Sequence, residues 1–159
     1  INKSIITEDD KKNIISLYEP IIGPIAVSLY FTLLRDIRLL EIMSIDYTHH
    51  HLMISLKNGL DIIKQARNSL ESVGLIKTFV KINDSQNNYI YEVYSPLTPT
   101  DFFNHPILNV ILYNNVGEKE YEIRLARKDG VPINESVQKE IIQIRDELEL
   151  TQYKFPWEE

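Results

Sequence analysis

Residues Arg67 to Ile82, RNSLESVGLIKTFVKI, carry the chain from helix into strand in one step. Leu70 and Val73 continue an apolar helical stripe, Gly74 is a helix stop, and the β-rich run Leu75 to Ile82 follows without a loop. A second β-rich run, Tyr89 to Tyr94, lies beyond NDSQNN, whose asparagine, aspartate and serine suit a turn. Together the runs predict a hairpin entered directly from a helix.

Upstream spacing supplies the helices on which such a hairpin rests. Thr7 is the expected N-cap of a first helix, with Glu8, Asp9 and Asp10 favouring its start through the helix dipole. Ile14, Ile15, Leu17 and Tyr18 form its buried side. EPIIGP breaks it, placing Pro24 in the first turn of the next helix. From about Ile25 to Ile42, the residues Ala26, Leu29, Tyr30, Leu33, Leu34 and Ile37 share one stripe and mark a central core helix. Arg35, Asp36 and Arg38 lie off that stripe. A short helix capped by Thr48 ends near Asn58–Gly59, and another runs from about Leu60 to Val73, burying Ile63, Ala66, Leu70 and Val73. The expected fold is mainly α with a small β-hairpin (α+β): a winged helix-turn-helix with extra C-terminal helices.

Beyond the wing, SPLTPTDFFNHP predicts a loop with a short helical turn. ILNVILYNNVG reads as an apolar helix stopped by Gly117, and Glu118 to Lys128 as a charged helix or its continuation. KDGVPIN is a linker. Glu135 to Leu150 is an amphipathic helix with Val137, Ile141, Ile144 and Leu148 at 4-3-4 spacing. Tyr153, Phe155 and Trp157 alternate in the tail, where they are costly to leave in water and are expected to dock on the domain or on a neighbouring chain. Residues 1–128 are read as the winged-helix domain with its post-wing helices, and 129–159 as linker, amphipathic helix and aromatic tail.

Composition narrows the function. The 159 residues hold no cysteine, which excludes disulfides, thiol catalysis and cysteine-bound zinc and suits a reducing compartment. No unbroken apolar run approaches the roughly 18 residues of a membrane span. The chain opens at Ile1 without a methionine or a signal-peptide pattern and is read as the front of a longer cytoplasmic protein. His49, His50 and His51 invite a metal reading, but neighbouring helical positions point about 100° apart and cannot readily converge on one ion. A polar helix start is the better reading. No phosphate-binding glycine loop or nucleophile elbow is present, and no enzyme, cofactor or metal is expected.

Two surfaces remain. From Lys57 to Ile82, five basic side chains (Lys57, Lys64, Arg67, Lys77 and Lys81) face two acidic ones, a local excess of three positive charges within a chain of net −6. Gln65 and Asn68 on the outward side of the second helix are able to read base edges. So few cations support weak, salt-sensitive phosphate contact. The hairpin is apolar on two faces, with Phe79 opposed to Ile76, Val80 and Ile82 on the first strand. On the second, Tyr89, Tyr91 and Val93 oppose Ile90 and Tyr94. A wing lying on its own domain needs only one apolar face, so Phe79, Val80, Ile82, Tyr89, Tyr91 and Tyr94 are candidates for an oligomer interface. Cover by the chain's own Phe102, Phe103, Leu108 and Leu112 is the competing reading.

LYEPIIGPIAVSLYFTLL (Leu17 to Leu34) resembles the opening helices of the DnaD/DnaB family of primosomal proteins. SPLTPTDFFNHPILNVILYNNVGEKEYEIRL (Ser95 to Leu125) resembles the segment after the wing in its DnaB-type members. The first pattern stands here as Leu17-Tyr18, Pro20, Ile22-Gly23, Ala26 and Leu29-Tyr30, and the likeness spans Thr7 to Arg127. It implies a self-associating winged-helix domain, a dimer or tetramer, that brings the replicative helicase to an origin or stalled fork. The initiator, the DnaD protein and an ATP-dependent helicase loader are the partners it implies, with membrane association through the full-length protein. The family's tyrosine–isoleucine–tryptophan motif for single strands is absent, and Trp157 inherits no role from it. The leading expectation is therefore a non-enzymatic assembly module of replication initiation and restart with weak DNA contact. The alternative is a winged-helix transcription regulator with Lys64, Gln65 and Asn68 in the major groove.

Overall fold

The computed structural model describes residues 6–43, 49–82, 87–128, 135–149, 151 and 156–157. They belong to two units, Ile1–Lys128 and Asp129–Glu159. In the first unit, helix α1 (Glu8–Asn13) starts at the expected cap. The Thr7 hydroxyl accepts from the Asp10 amide at 3.1 Å, while the Thr7 amide donates to the Asp10 carboxylate at 3.0 Å. This reciprocal box satisfies two amides that the first turn leaves without partners.

The expected break at EPIIGP comes later than its first residue. A π-helical turn (Ile14–Tyr18) links α1 to α2 (Glu19–Met43), and Pro20 is carried inside the helix. A regular α-helix would bond the Ser16 carbonyl to the amide of residue 20, and proline has none. Arg124 Nε fills that gap, donating to the Ser16 carbonyl at 2.8 Å. The chain breaks instead at Gly23, whose φ of 84° and ψ of 166° suit only glycine. Pro24 then begins the next helical stretch, as its sequence position predicts.

Helix α3 (His49–Leu56) and helix α4 (Leu60–Ser72) follow, packed on each other and on α2. At the end of α4, the Leu75 amide reaches the Leu70 carbonyl at 3.0 Å and the Gly74 amide reaches Glu71 at 3.1 Å. That paired pattern is a Schellman stop, with Gly74 left-handed and Leu70 and Leu75 both buried. Strand β1 (Ile76–Ile82) leaves at once and pairs antiparallel with β2 (Asn87–Val93), setting Ile76 opposite Val93, Thr78 opposite Tyr91 and Phe79 opposite Ile90.

Past the wing, the core helices hold the extended chain directly. Tyr30 donates its hydroxyl hydrogen to the Tyr94 carbonyl at 2.7 Å, and the Tyr18 hydroxyl accepts from the Leu97 amide at 3.1 Å. Thr98 caps helix α5 (Pro99–Asn104). His105 Nδ1 then accepts from the Ile107 and Leu108 amides at 3.2 and 3.1 Å, capping helix α6 (Leu108–Ala126). Gly117 breaks α6 with nearly the backbone shape of Gly23 (φ 83°, ψ 170°) and turns its charged half back towards the π-turn.

The buried core joins Ile14, Leu17, Tyr18, Ala26, Leu29, Tyr30 and Leu33 to α3, α4, the wing base, Phe102, Leu108 and Leu112. Among residues placed off the stripe, Asp36 is a correction: it is 2% exposed. Arg35 Nε lies 2.8 Å from one of its carboxylate oxygens and His51 Nε2 lies 2.9 Å from the other. Two partners are what a buried carboxylate requires, and a helical stripe cannot foretell a partner brought from α3. The side chains of Ile37, Arg38, His49 and His50 lie outside the described residues. A second correction concerns hydropathy. The helical run Glu8–Asp36 is long enough to cross a membrane and contains an 18-residue window apolar enough to do so, with a mean hydropathy of 1.5. Its charged residues interrupt any unbroken run, and its apolar side is the core of the domain; a core helix passes the same test.

In the second unit, α7 (Glu135–Glu147) forms at the expected place. Trp157 is 77% exposed, and Tyr153 and Phe155 lie outside the described residues.

Burial raises the Tyr30 phenol well above its ordinary value of 10.0, with Asp10 and Tyr18 adding to the rise. A raised folded-state pKa makes this stability fully present below about pH 10 and lost as the pH climbs towards the folded value. Tyr30→Phe leaves the Tyr94 carbonyl without its donor and should cost about 1–3 kcal/mol at pH 7 by urea unfolding. Above pH 10 the variant should lose less further stability than the parent.

Candidate nucleic-acid and assembly surfaces

Helix α4 presents Asp61, Lys64, Gln65 and Asn68 to solvent, because Ile63, Ala66 and Leu70 occupy its opposite side. Lys57 is exposed at the turn before it, in a left-handed conformation (φ 52°). Arg67 departs from the expected reading side. Its guanidinium is drawn inward, with Nε 3.8 Å from Glu71 Oε1, and it lies against buried Tyr91. Burial pushes the Tyr91 phenol up, while the charge and hydrogen bond of Arg67 draw it part of the way back. Glu71 in turn accepts a short hydrogen bond from the Thr78 hydroxyl on β1. Arg67, Glu71, Thr78 and Tyr91 thus join α4 to the inner face of the wing.

Lys77 is exposed on the outer face, with Nζ 5.5 Å from the centre of the Tyr94 ring, a cation–π arrangement. The Tyr94 hydroxyl donates to Glu92, which lies opposite Lys77, and that bond raises its pKa. Lys81 lies outside the described side chains. The outward cations of the helix and wing base are therefore Lys57, Lys64 and Lys77, interspersed with Asp61 and Glu71.

The strand register sorts the candidate interface residues. Ile76 and Val93, then Thr78 and Tyr91, face the domain, so Tyr91 belongs to the chain's own core; the expectation that it sits at an interface is corrected by this pairing. Tyr89 packs half-buried at the edge of that core, Tyr94 is half-buried, and Ile82 lies outside the described side chains. Phe79 and Ile90 face each other across the outer side, each about half exposed, and Val80 is exposed to a similar degree on the opposite side. Ile90 is a partner that sequence reasoning placed on the right face and left out of the interface. The cross-strand register, set by the turn, was the missing signal.

The post-wing helices do not supply the outer cover. Phe102 packs edge-on against Tyr18 at 5.2 Å between ring centres, while Leu108 and Leu112 are buried against the core. Phe103 and Tyr121 extend this line of rings to Tyr113 on the surface. Among the described residues no group of histidines and carboxylates is placed to hold a metal ion.

A helix-turn-helix running through a Schellman stop into a two-stranded wing defines a winged-helix domain. The chain belongs to the DnaB N-terminal winged helix domain family, whose model matches residues 1–154. Over 105 residues, 66% of this chain, it is 31% identical to the replicative helicase loading/DNA remodeling protein DnaB of Staphylococcus aureus (strain NCTC 8325 / PS 47), covering 22% of that protein. It also resembles the crystal structure of primosome protein DnaB (residues 1–300) from Geobacillus stearothermophilus, with a TM-score of 0.71 and 31% identity. That match covers 98% of this chain and 55% of the other.

The inward turn of Arg67 makes a testable distinction on one helix. Arg67→Ala removes a partly buried charge from Tyr91 and Glu71 and should lower stability by about 1–3 kcal/mol, whereas exposed Lys64→Ala should stay within about 0.5 kcal/mol of the parent. Urea unfolding of the two variants checks this.

Proposed function

We propose that this chain is a non-enzymatic assembly module of a primosomal protein that helps load the replicative helicase during replication initiation and restart. Its family, and the helicase-loading and primosome roles named for its relatives, support that reading. The observation that carries it is the wing, where Phe79 and Ile90 form an apolar pair directed away from the chain's own core. Self-association through such a patch lets one surface serve both subunits of a symmetric pair. Its partners are further copies of itself and the other primosomal proteins: the initiator, the DnaD protein and the ATP-dependent loader. DNA is held weakly and without sequence preference by Lys57, Lys64 and Lys77, and the working compartment is the cytoplasm. A transcription regulator is the less favoured reading, because Arg67 turns inward from the helix that would read the groove.

Phe79→Asp and Ile90→Asp put a charge into the contact while leaving the core intact, so each should lower the mass measured by light scattering with an unchanged circular dichroism spectrum. Folded variants that keep the parent mass overturn the wing contact. In a parallel titration, random and selected duplexes should bind within much less than the roughly thousandfold ratio of a specific reader.

A further inference from the structure

Helix α7 leaves Ile141, Ile144 and Leu148 each more than half exposed. The Leu148 amide still bonds to the Ile144 carbonyl at 3.0 Å, so the helical line reaches that residue. With Val137 in the sequence, the 4-3-4 spacing is the d-a-d-a seam of a coiled coil. This frame places Glu140 and Glu147 at g positions, Arg145 at an e position and Asp146 on the outside.

We infer that α7 pairs with α7 of a second copy of this chain, parallel and in register. Charge selects the orientation. In a parallel pair each g residue faces the e residue five positions further along the other helix, so Glu140 meets Arg145 of the second copy, twice by symmetry. An antiparallel pair with the same seam sets g against g, opposing Glu140 to Glu147 twice, and like charges so placed repel. Isoleucine at both a and d positions does not favour two strands over three or four, so the claim is orientation and register. The inference goes beyond the proposed function and does not use the wing contact. Two heptads make a weak seam, which calls for covalent capture.

The chain has no cysteine, so Ile144→Cys in the full chain introduces its only thiol. Under a glutathione redox buffer a parallel, in-register seam brings residue 144 against itself and should yield a disulfide-linked dimer, while outward Asp146→Cys should not. An antiparallel seam opposes residue 144 to residue 141 and gives no such link. In the Ile144→Cys background, Glu140→Arg or Arg145→Glu should each lower the linked fraction roughly fivefold, and the two together should restore it. Circular dichroism confirms that α7 remains helical in each. Equal linkage at 144 and 146, no linkage at 144, or failure of the double reversal to restore it overturns the proposal. Repeating the capture with Phe79→Asp separates the two contacts: a retained link with reduced mass supports α7 pairing independently of the wing, and an Ile144→Cys chain that oligomerises without forming the link overturns α7 pairing alone.

Discussion

Tyr30 donates to the Tyr94 carbonyl where the wing ends, and Tyr18 accepts from the Leu97 amide three residues further on. Both backbone groups belong to an extended stretch that lies past β2 and before α5, with no strand or helix to pair them. Polar backbone buried there needs partners from elsewhere, and the two core tyrosines provide them. The Leu17-Tyr18 and Leu29-Tyr30 pairs of the first helices and the SPLTP segment after the wing are therefore halves of one interaction. Fixing Tyr94 fixes the base of β2, and β2 fixes β1 by register. Fixing Leu97 delivers Thr98 and α5 onto the core, where Phe102 meets the Tyr18 ring.

A related exchange operates at the other end of the domain. Pro20 deprives the Ser16 carbonyl of its helical donor, and Arg124 supplies one from α6. The same guanidinium is held at 2.6 Å by Glu120, one helical turn earlier. Gly117 makes this possible by turning the helix, as Gly23 turns the first one. Each break costs hydrogen bonds along a helix, and each is offset by contacts that only a bent helix can reach.

The helices, the glycine stop and the hairpin were legible in the sequence because each rests on local rules: spacing, caps and β-rich runs. What escaped was set by distant neighbours. Asp36 looks like a solvated charge until His51 arrives from another helix. Arg67 looks like a phosphate contact until Tyr91 arrives from a strand more than twenty positions away. His105 caps α6 through its ring, a role that the usual capping residues do not announce. Within EPIIGP the break falls at Gly23 and not at Pro20, whose missing bond is made good from residue 124.

The bond network at the wing base also bears on how one element can serve two kinds of contact. Arg67 and Glu71 on α4 hold Thr78 and Tyr91 on the inner side of the hairpin. The next residues along the strands, Lys77 and Phe79 on β1 and Ile90 and Glu92 on β2, face outward by the two-residue period of a strand. A side chain cannot belong to both sets without a slip in register, and the buried Ile76–Val93 pair makes such a slip costly. Helix and wing base are thus tied together while the outer pair Phe79–Ile90 stays available. The charge that a DNA reader would place outward at Arg67 is used inside instead, anchoring the wing that carries the apolar pair.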